Sequence, residues 1–148
     1  MKKALFTLLS LVFISTPAFS ANWEYYATRS NGTQHFYDKK SLRIITQQGD
    51  TMAYVTIKTN YTPREHIAYL GHQYQGVVTA ISRELVDCST KLDKTVRMHL
   101  FDFNNRSMKE WQITENNITA IAPGTIADHL YRAVCPNERN ILNEKGYF

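Results

Sequence analysis

Long apolar runs are missing from this 148-residue sequence, because no stretch reaches the ~18 residues that a membrane-spanning helix requires. Cysteine, proline and glycine are also scarce, at two, four and six residues, and this excludes disulfide-dense, low-complexity and collagen-like chains. Aromatic residues are plentiful by contrast, with nine Tyr, seven Phe and two Trp, and this argues against disorder. The length suits one domain and makes a second hard to fit. The sequence therefore predicts one small, ordered domain.

The two ends of the chain have compositions of their own. A pair of lysines, an apolar stretch over residues 4–14 and small residues before Ala21 are typical of a signal peptide, so residues 1–20 are predicted to be cleaved off before Ala21. The domain then covers residues 21–148, of which residues 136–148 are predicted to form a loosely ordered tail. No cysteine stands at the cleavage point, so we expect no lipid anchor and a periplasmic or secreted product.

The charge balance bears on the class of partner. Cleavage would remove two basic residues and no acidic one, which lowers the formal net charge from +4 to +2. Nucleic-acid binding is carried by a strongly basic patch or stripe. A mature chain so close to neutrality provides no such footprint, and we expect no nucleic-acid partner.

Cys88 and Cys135 are the only cysteines in the sequence. An exported protein occupies an oxidising compartment, in which two cysteines allow a single pairing. We therefore predict a Cys88–Cys135 disulfide. A metal site at these thiols would need at least two more ligands at suitable spacing, and none is adjacent.

Most of the sequence after the signal segment predicts β-strands. Alternating apolar and polar residues, β-branched and aromatic side chains, and turn residues such as Asn31-Gly32 and Asn104-Asn105 support this interpretation. Short strands joined in this way favour one antiparallel sheet. The predicted strands are Trp23–Thr28, Gln34–Tyr37, Leu42–Ile45, Thr51–Asn60, Gln75–Cys88, Thr95–Asn104 and Ser107–Thr114.

A helix is predicted near the C-terminal end of the domain. Thr125 has the position of an N-cap, and an apolar stripe at four-residue spacing runs through Ile126, Leu130 and Val134. Cys135 ends this helix and Cys88 ends a strand, so the predicted disulfide ties the helix to the sheet. The predicted fold class is α+β, a single antiparallel sheet with a C-terminal helix tied to it by a disulfide.

Several segments of this pattern are shared with a known family. They are Trp23, Phe36-Tyr37-Asp38 with Ser41-Leu42, Val86-Asp87-Cys88, Trp111, and Ile121-Ala122-Pro123-Gly124-Thr125 with Leu130-Tyr131 and Val134-Cys135. In these segments the chain resembles the surface-adhesin protein E family of Gram-negative bacteria. The resemblance implies a sheet of about six strands with a disulfide-tied C-terminal helix. It also implies a non-enzymatic domain, named for a lipoprotein adhesin that binds host extracellular-matrix and serum proteins.

Catalytic chemistry has little support in the sequence. Gly-rich phosphate loops, zinc-protease motifs and nucleophile elbows are all missing. Strand alternation places His99 and Asp102 on opposite faces, and it separates Glu84 from Asp87 in the same way. We therefore predict that the protein is not an enzyme, with no catalytic residues, no cofactor and no metal.

A protein partner is expected instead, and residues 61–76 are the candidate contact segment. Thr62 as an N-cap, followed by Pro63 and by Glu65 three residues after the cap, predicts a short helical turn between strands. Tyrosine rings offer a large contact area at low entropy cost. The two histidines of this segment lack a third metal ligand. The candidate partner-binding residues are Tyr61, Arg64, His66, Tyr69, His72 and Tyr74.

Alternatives remain open at this point. The rings of the segment could pack inward over the sheet, and an unpaired sheet edge could accept a strand from a partner. Two functions are also compatible with the pattern. One is an adhesin-like binder of host matrix or serum proteins or of cell-envelope proteins, and the other is a soluble periplasmic accessory or inhibitor protein.

Overall fold

The structure, a computed structural model, describes residues 20–62, 75–114 and 117–136. The predicted signal segment up to residue 19, the predicted helical turn from residue 63 and the predicted tail from residue 137 lie outside these residues. The described elements are β1 (Trp23–Thr28), β2 (Gln34–Asp38), β3 (Arg43–Gln47), β4 (Asp50–Asn60), β5 (Val77–Asp87), β6 (Leu92–Asp102), β7 (Ser107–Gln112), β8 (Ile118–Ala120) and the helix α1 (Ile126–Val134). No helix in this part of the chain has the length and apolarity needed to cross a membrane.

All of the described strands belong to one antiparallel sheet, whose main path runs β1-β2-β4-β5-β6-β7. Strand β3 pairs with the first half of β4, and β2 pairs with the second half of β4 along the same edge of that strand. In the same way β8 and β7 pair with different parts of the same edge of β6. The sheet is therefore six strand positions wide, and the predicted α+β class with a single antiparallel sheet is confirmed.

The two central strands show why this sequence folds as a sheet with one buried side. In β4, Ala53, Val55 and Ile57 are buried, while the residues between them are only partly covered. Ala53 pairs with Val86 of β5, so the buried positions of the two strands lie side by side. We call this buried side the helix face because α1 packs on it. Its core residues include Tyr37, Ala53, Val55, Ile57 and Val86.

The sequence predicts most of the strands correctly but does not predict the pairing of β6 with β8. The sixth strand was predicted as Thr95–Asn104, but β6 begins at Leu92, because its first residues pair with β8. Strand β8 was not predicted, since three residues are too few to show an alternation. The Asn104-Asn105 turn is confirmed, and Asn105 has the expected positive φ of 60°.

Helix α1 begins and packs much as its sequence pattern predicts. The side chain of its N-cap, Thr125, accepts a hydrogen bond from the backbone N–H of Asp128 at 3.2 Å. Leu130 and Val134 are buried, as expected from the stripe. Tyr131 is buried as well, although it lies outside the predicted stripe.

The disulfide between Cys88 and Cys135 is formed, with 5.7 Å between the two Cα atoms. It joins the residue after β5 to the residue that ends α1. The hydroxyl of Tyr131 donates a second link, a hydrogen bond of 3.3 Å to the carbonyl oxygen of Cys88. The predicted attachment of the helix to the sheet is therefore confirmed.

Candidate functional site

The side of the sheet opposite α1 carries aromatic rings and basic side chains next to one another. Residues that pair directly across antiparallel strands share a face, and the pairs Phe36–Lys58, Thr56–Arg83 and Arg83–Arg97 place these positions together. We call this side the open face. The residues at its centre are Trp23, Tyr25, Phe36, Arg43, Ile45, Tyr54, Thr56, Lys58, Ile81, Arg83, Arg97, His99, Phe101 and Glu110.

At one end of the open face a lysine lies between two aromatic rings. The Nζ atom of Lys58 is 4.8 Å from the ring centre of Trp23 and 4.7 Å from that of Phe36. Both distances are within the range of cation–π attraction. The ring of Tyr25 meets that of Phe36 edge-on at 5.9 Å and is 53% exposed. These contacts fix a rigid, accessible group of rings around a positive charge.

The middle of the open face is concave. Two neighbouring depressions of about 460 Å³ and 210 Å³ are both lined by Thr56 and Arg83, and we call the two together the groove. Arg43 and Tyr54 line the first part of this groove, and Arg97 lines the second. A groove with three arginine side chains along it suits an extended, negatively charged chain better than a flat surface would.

The charges at the centre of the open face are mostly positive. Glu110 is its only carboxylate, and this group forms an ion pair with Arg97. The same carboxylate lies 3.8 Å from Nδ1 of His99. Lys58 and Arg83 therefore add positive charge that Glu110 does not balance, and the field at the groove favours an acidic ligand.

The further carboxylates on this side lie at strand ends, among them those of Asp38, Asp50 and Asp87. The Asp87 carboxylate accepts hydrogen bonds from the backbone N–H groups of Ser89 and Thr90 at 2.9 Å and 3.0 Å. Burial raises the pKa of Asp87, but the hydrogen bonds from Thr90 and Ser89 outweigh it and hold the pKa below its usual value. Asp38 likewise accepts two backbone hydrogen bonds. These groups serve turns and leave the groove basic.

A cavity of about 590 Å³ lies between α1 and the helix face, and we call it the inner cavity. Ile126, Ala127 and Leu130 line it from the helix. The sheet contributes a mixed lining with an unusual share of charged and polar groups. Those side chains are Tyr26, Arg29, His35, Thr59, Ser82, Glu84, Asp93 and Thr95.

Burial changes the acid–base properties of the inner cavity. Burial raises the pKa of Glu84, although hydrogen bonds from the hydroxyls of Ser82 and Thr95 oppose the shift. It also raises the pKa of Asp93. The phenol of Tyr26 has a raised pKa for the same reason, with the charge of Glu84 adding to it. Each of these groups is thus held toward its neutral form.

Only one of the predicted partner-binding residues falls within the described part of the chain. Tyr61 is partly buried and packs against the small core cluster of Val77, Ala80 and Leu100. Its backbone N–H donates a hydrogen bond to the carbonyl oxygen of Val78. The other candidates lie outside the described residues; they are Arg64, His66, Tyr69, His72 and Tyr74.

The sequence predicts which side chains of one strand lie on the same face of the sheet, and the strand register allows a comparison. Glu84 pairs with Val55 and Asp87 pairs with Met52, so the two carboxylates do lie on opposite faces. The ring of His99 lies against Phe101 at 4.1 Å between centres, on the same face, as expected. In the described residues, no three His, Cys, Asp or Glu side chains come together as a candidate metal site.

Sequence reasoning did not single out the open face or the inner cavity. A signal for each was present in the strand alternation. In β4 the residues between the buried ones include Tyr54 and Lys58, which predicts an aromatic and basic outer side. In β5, Glu84 falls in phase with buried Val86, and a carboxylate in a buried phase is a sign of a polar cavity.

Comparison with known proteins agrees with this architecture. The family model described as surface-adhesin protein E matches residues 23–136, which is most of the chain and includes every described strand and α1. No curated protein and no solved structure matches the chain significantly. Membership of this family implies a non-enzymatic protein that binds other proteins at a surface or after secretion. The chain belongs to the surface-adhesin protein E family.

Proposed function

We propose that this protein is an exported, non-enzymatic adhesin-type binder that holds an acidic segment of a host matrix or serum protein, or of a cell-envelope protein, on its open face. The family supports protein binding in general. The observation that carries the proposal is the basic groove through Arg83, next to the group of rings around Lys58. The signal segment supports export, with cleavage before Ala21 and no lipid anchor.

The chemistry of the open face suits this role. Arginine binds carboxylates through two parallel hydrogen bonds, which are among the stronger polar contacts in proteins. Exposed aromatic rings often supply the largest share of binding energy at a protein interface. Here the rings of Trp23 and Phe36 are already held by Lys58, so little side-chain entropy is lost when a partner binds.

The test is a binding measurement with matched charge reversals. Purified matrix, serum and envelope proteins are immobilised, and the affinity of the wild type for each is measured. Arg83→Glu is expected to weaken binding to the captured protein by about tenfold or more, since it places a negative charge in the groove. Arg106→Glu makes the same charge change in an exposed turn and is the control, with affinity close to that of the wild type.

A second measurement tests the acidic nature of the partner. A polyglutamate peptide is expected to compete for the open face, and a polylysine peptide of the same length is not. Tyr25→Ala is expected to weaken binding without lowering the melting temperature, because this ring is half exposed. Equal affinities of Arg83→Glu and Arg106→Glu, or no competition by polyglutamate, would contradict a contact through the open face.

The segment of residues 61–76 is proposed as an additional contact surface. Three tyrosines, two histidines and Arg64 support this proposal, since such side chains are common at interfaces. Tyr69→Ala and Tyr74→Ala, measured in the same assay, separate two roles. Lost binding with an unchanged melting temperature assigns the segment to the partner. A melting temperature lowered by several degrees, with binding retained, assigns its rings to the folded core.

A periplasmic accessory or inhibitor protein is the second candidate function. It is supported by the lack of a cysteine at the predicted cleavage point, because a bacterial lipoprotein carries its lipid on a cysteine at that position. Protease treatment of intact cells distinguishes the two functions. Degradation of the protein on intact cells supports an adhesin, and protection until the outer membrane is opened supports the periplasmic role.

A further inference from the structure

The inner cavity has the properties of a small-molecule site. Its volume of about 590 Å³ lies within the range of known ligand pockets, ~300–1,000 Å³. Its apolar lining includes Ile57 and Met98 from the sheet and Leu130 from α1, and the carboxylates of Glu84 and Asp93 lie on the same face of the sheet beside Ile57 and Met98. The cavity opens on the helix face, so it is separate from the groove to which the proposed protein partner binds.

The sheet register brings two carboxylates of the inner cavity close together. Glu84 of β5 pairs with Thr95 of β6, and Val86 pairs with Asp93. Glu84 and Asp93 are therefore diagonal neighbours on the helix face, a spacing that long side chains can bridge. Among the described residues, neither carboxylate forms an ion pair, and the buried Oδ1 atom of Asp93 accepts no hydrogen bond.

The basic groups of the cavity do not fill this role. Arg29 and His35 also line it, and each has an interaction partner of its own. Nδ1 of His35 lies 3.2 Å from the hydroxyl oxygen of Thr59. Two carboxylates beside apolar side chains in one concave site are an electrostatic match for a cation with a hydrocarbon part.

We propose that the inner cavity binds a small primary amine, with its ammonium group between Glu84 and Asp93 and its hydrocarbon chain against Ile57, Met98 and Leu130. The ring of Tyr26 also lines the inner cavity and can attract the ammonium group through a cation–π interaction. This site is a function additional to the protein binding proposed for the open face.

Calorimetry with two probes of the same shape tests the site. The full-length wild type is titrated with n-hexylamine and with 1-hexanol, which differ in charge and hardly in size. We expect n-hexylamine to bind at least about tenfold more tightly, since a charge-assisted hydrogen bond in a buried site is worth more than a neutral one. Equal affinity, or no heat from n-hexylamine at millimolar concentration, would overturn the proposal.

The pH dependence gives a second measurement on the wild type. The charged and titratable groups that line the cavity together with Glu84 are Tyr26, Arg29, His35, Tyr61 and Asp93. Because the free cavity holds its carboxyls toward the neutral form, the amine must displace protons as it binds. The affinity for n-hexylamine is therefore expected to rise with pH until the carboxyls are ionised. The affinity for 1-hexanol, which carries no charge, should show no such rise.

A pair of variants assigns the effect to the cavity. Glu84→Gln is expected to lower the affinity for n-hexylamine by about tenfold and to reduce its pH dependence. Glu110→Gln removes one carboxylate from the open face and should leave the affinity unchanged. Unchanged affinity in Glu84→Gln, or equal losses in both variants, would overturn the assignment. Should Glu84→Gln fail to fold, the comparison of the two probes on the wild type still decides the question.

Discussion

Glu84 is a carboxylate on the buried side of the central strand β5. Its side chain occupies a position of β5 that is in phase with the buried Val86 and directly opposite the buried Val55. The burial that raises its pKa also means that the ionised form is less stable in the folded protein than in water. A carboxylate kept at such a position lowers the stability of the fold, and this is common at binding sites.

Replacing Glu84 is expected to stabilise the fold above acid pH. Its pKa is 4.5 in the unfolded chain and higher in the folded one, so the stability of the wild type falls as pH rises through 4.5 and levels off above the folded-state pKa. Glu84→Gln removes this fall. The melting temperature of the variant, relative to the wild type, should therefore increase between about pH 4 and pH 7. Melting curves over this range are the measurement.

Asp87, three positions further along β5, is a control of opposite sign. Burial alone would raise its pKa, but the hydrogen bonds from Thr90 and Ser89 hold the pKa below 3.8. The stability contributed by this carboxylate is present above pH 3.8 and is lost as the pH falls through the folded-state pKa. Asp87→Asn should be less stable than the wild type at neutral pH and nearer to it in acid. If both variants change stability in the same direction at neutral pH, the assigned environments are wrong.

The different surroundings of these two carboxylates were only partly predictable. Alternation alone separated Glu84 from Asp87, and the register confirms the separation. The sequence could not show that Asp93 and His35 would join Glu84 at one cavity. Their approach depends on the pairing of four strands, β2, β4, β5 and β6, and on an irregularity in the β5–β6 register between Arg83 and Glu84. Such bulges shift the register of one strand past another, and local sequence carries no clear mark of them.

The N-terminus of α1 is capped by the side chain of Thr125. The Thr125 hydroxyl accepts a hydrogen bond from the N–H of Asp128 at 3.2 Å and donates one of 2.7 Å to the carbonyl of Ala122. Thr125→Ala is expected to lower the free energy of unfolding by about 1 kcal/mol, the usual cost of losing an N-cap. Denaturant unfolding measures this loss. Thr125→Ser keeps the hydroxyl and should recover most of it, and a serine variant as weak as the alanine would contradict a capping role.

The attachment of α1 to the sheet depends on the disulfide. The bridge closes a loop with a sequence separation of 47 residues, which in the chain-entropy model contributes about 4 kcal/mol. Reduction should therefore lower the melting temperature markedly and loosen the helix first, because α1 is then held only by non-covalent contacts, among them the packing of Leu130 and Val134 and the hydrogen bond from Tyr131. Melting curves with and without reductant test this. Identical midpoints would show that packing alone holds the helix.

The elements themselves were predicted to different degrees, for physical reasons. The central strand β4 and the helix α1 have long, regular apolar patterns, and both were located nearly to the residue. The short strand β8 is exposed along its length and has no pattern of burial to follow. Its pairing with Lys94 and its neighbours is a contact made by the whole fold, and it moved the start of β6 away from the predicted residue.

At the scale of the whole molecule, a single sheet separates two chemically different surfaces. Arg83 and Glu84 are neighbours in the chain, yet one lines the basic groove of the open face and the other lines the acidic wall of the inner cavity. A strand turns successive side chains to opposite sides, so one sheet layer can present a basic surface and an acidic cavity without pairing their charges. The same geometry places the proposed protein-binding surface and the proposed amine site on opposite faces of the sheet.

Export and folding are expected to be linked in this protein. The disulfide forms in an oxidising compartment, and the proposed signal segment is what would take the chain there. When the full-length chain is expressed, the product recovered from a periplasmic extract is expected to begin at Ala21. Its Cys88 and Cys135 are expected to resist thiol alkylation because they form the disulfide. A chain that lacks residues 2–20 should stay in the reducing cytosol with both thiols alkylated.

Mass spectrometry of the exported and the cytosolic product tests the cleavage point and the state of the two thiols, and melting curves of both products test the effect of the disulfide on stability. The cytosolic chain should melt at a lower temperature until it is oxidised, because only then is α1 tied to the sheet. Oxidation of the purified cytosolic chain should restore the higher melting temperature, which shows that the bridge and not the missing segment causes the difference. An intact N-terminus on the exported chain, or a mass increased by a lipid, would contradict the proposed cleavage before Ala21.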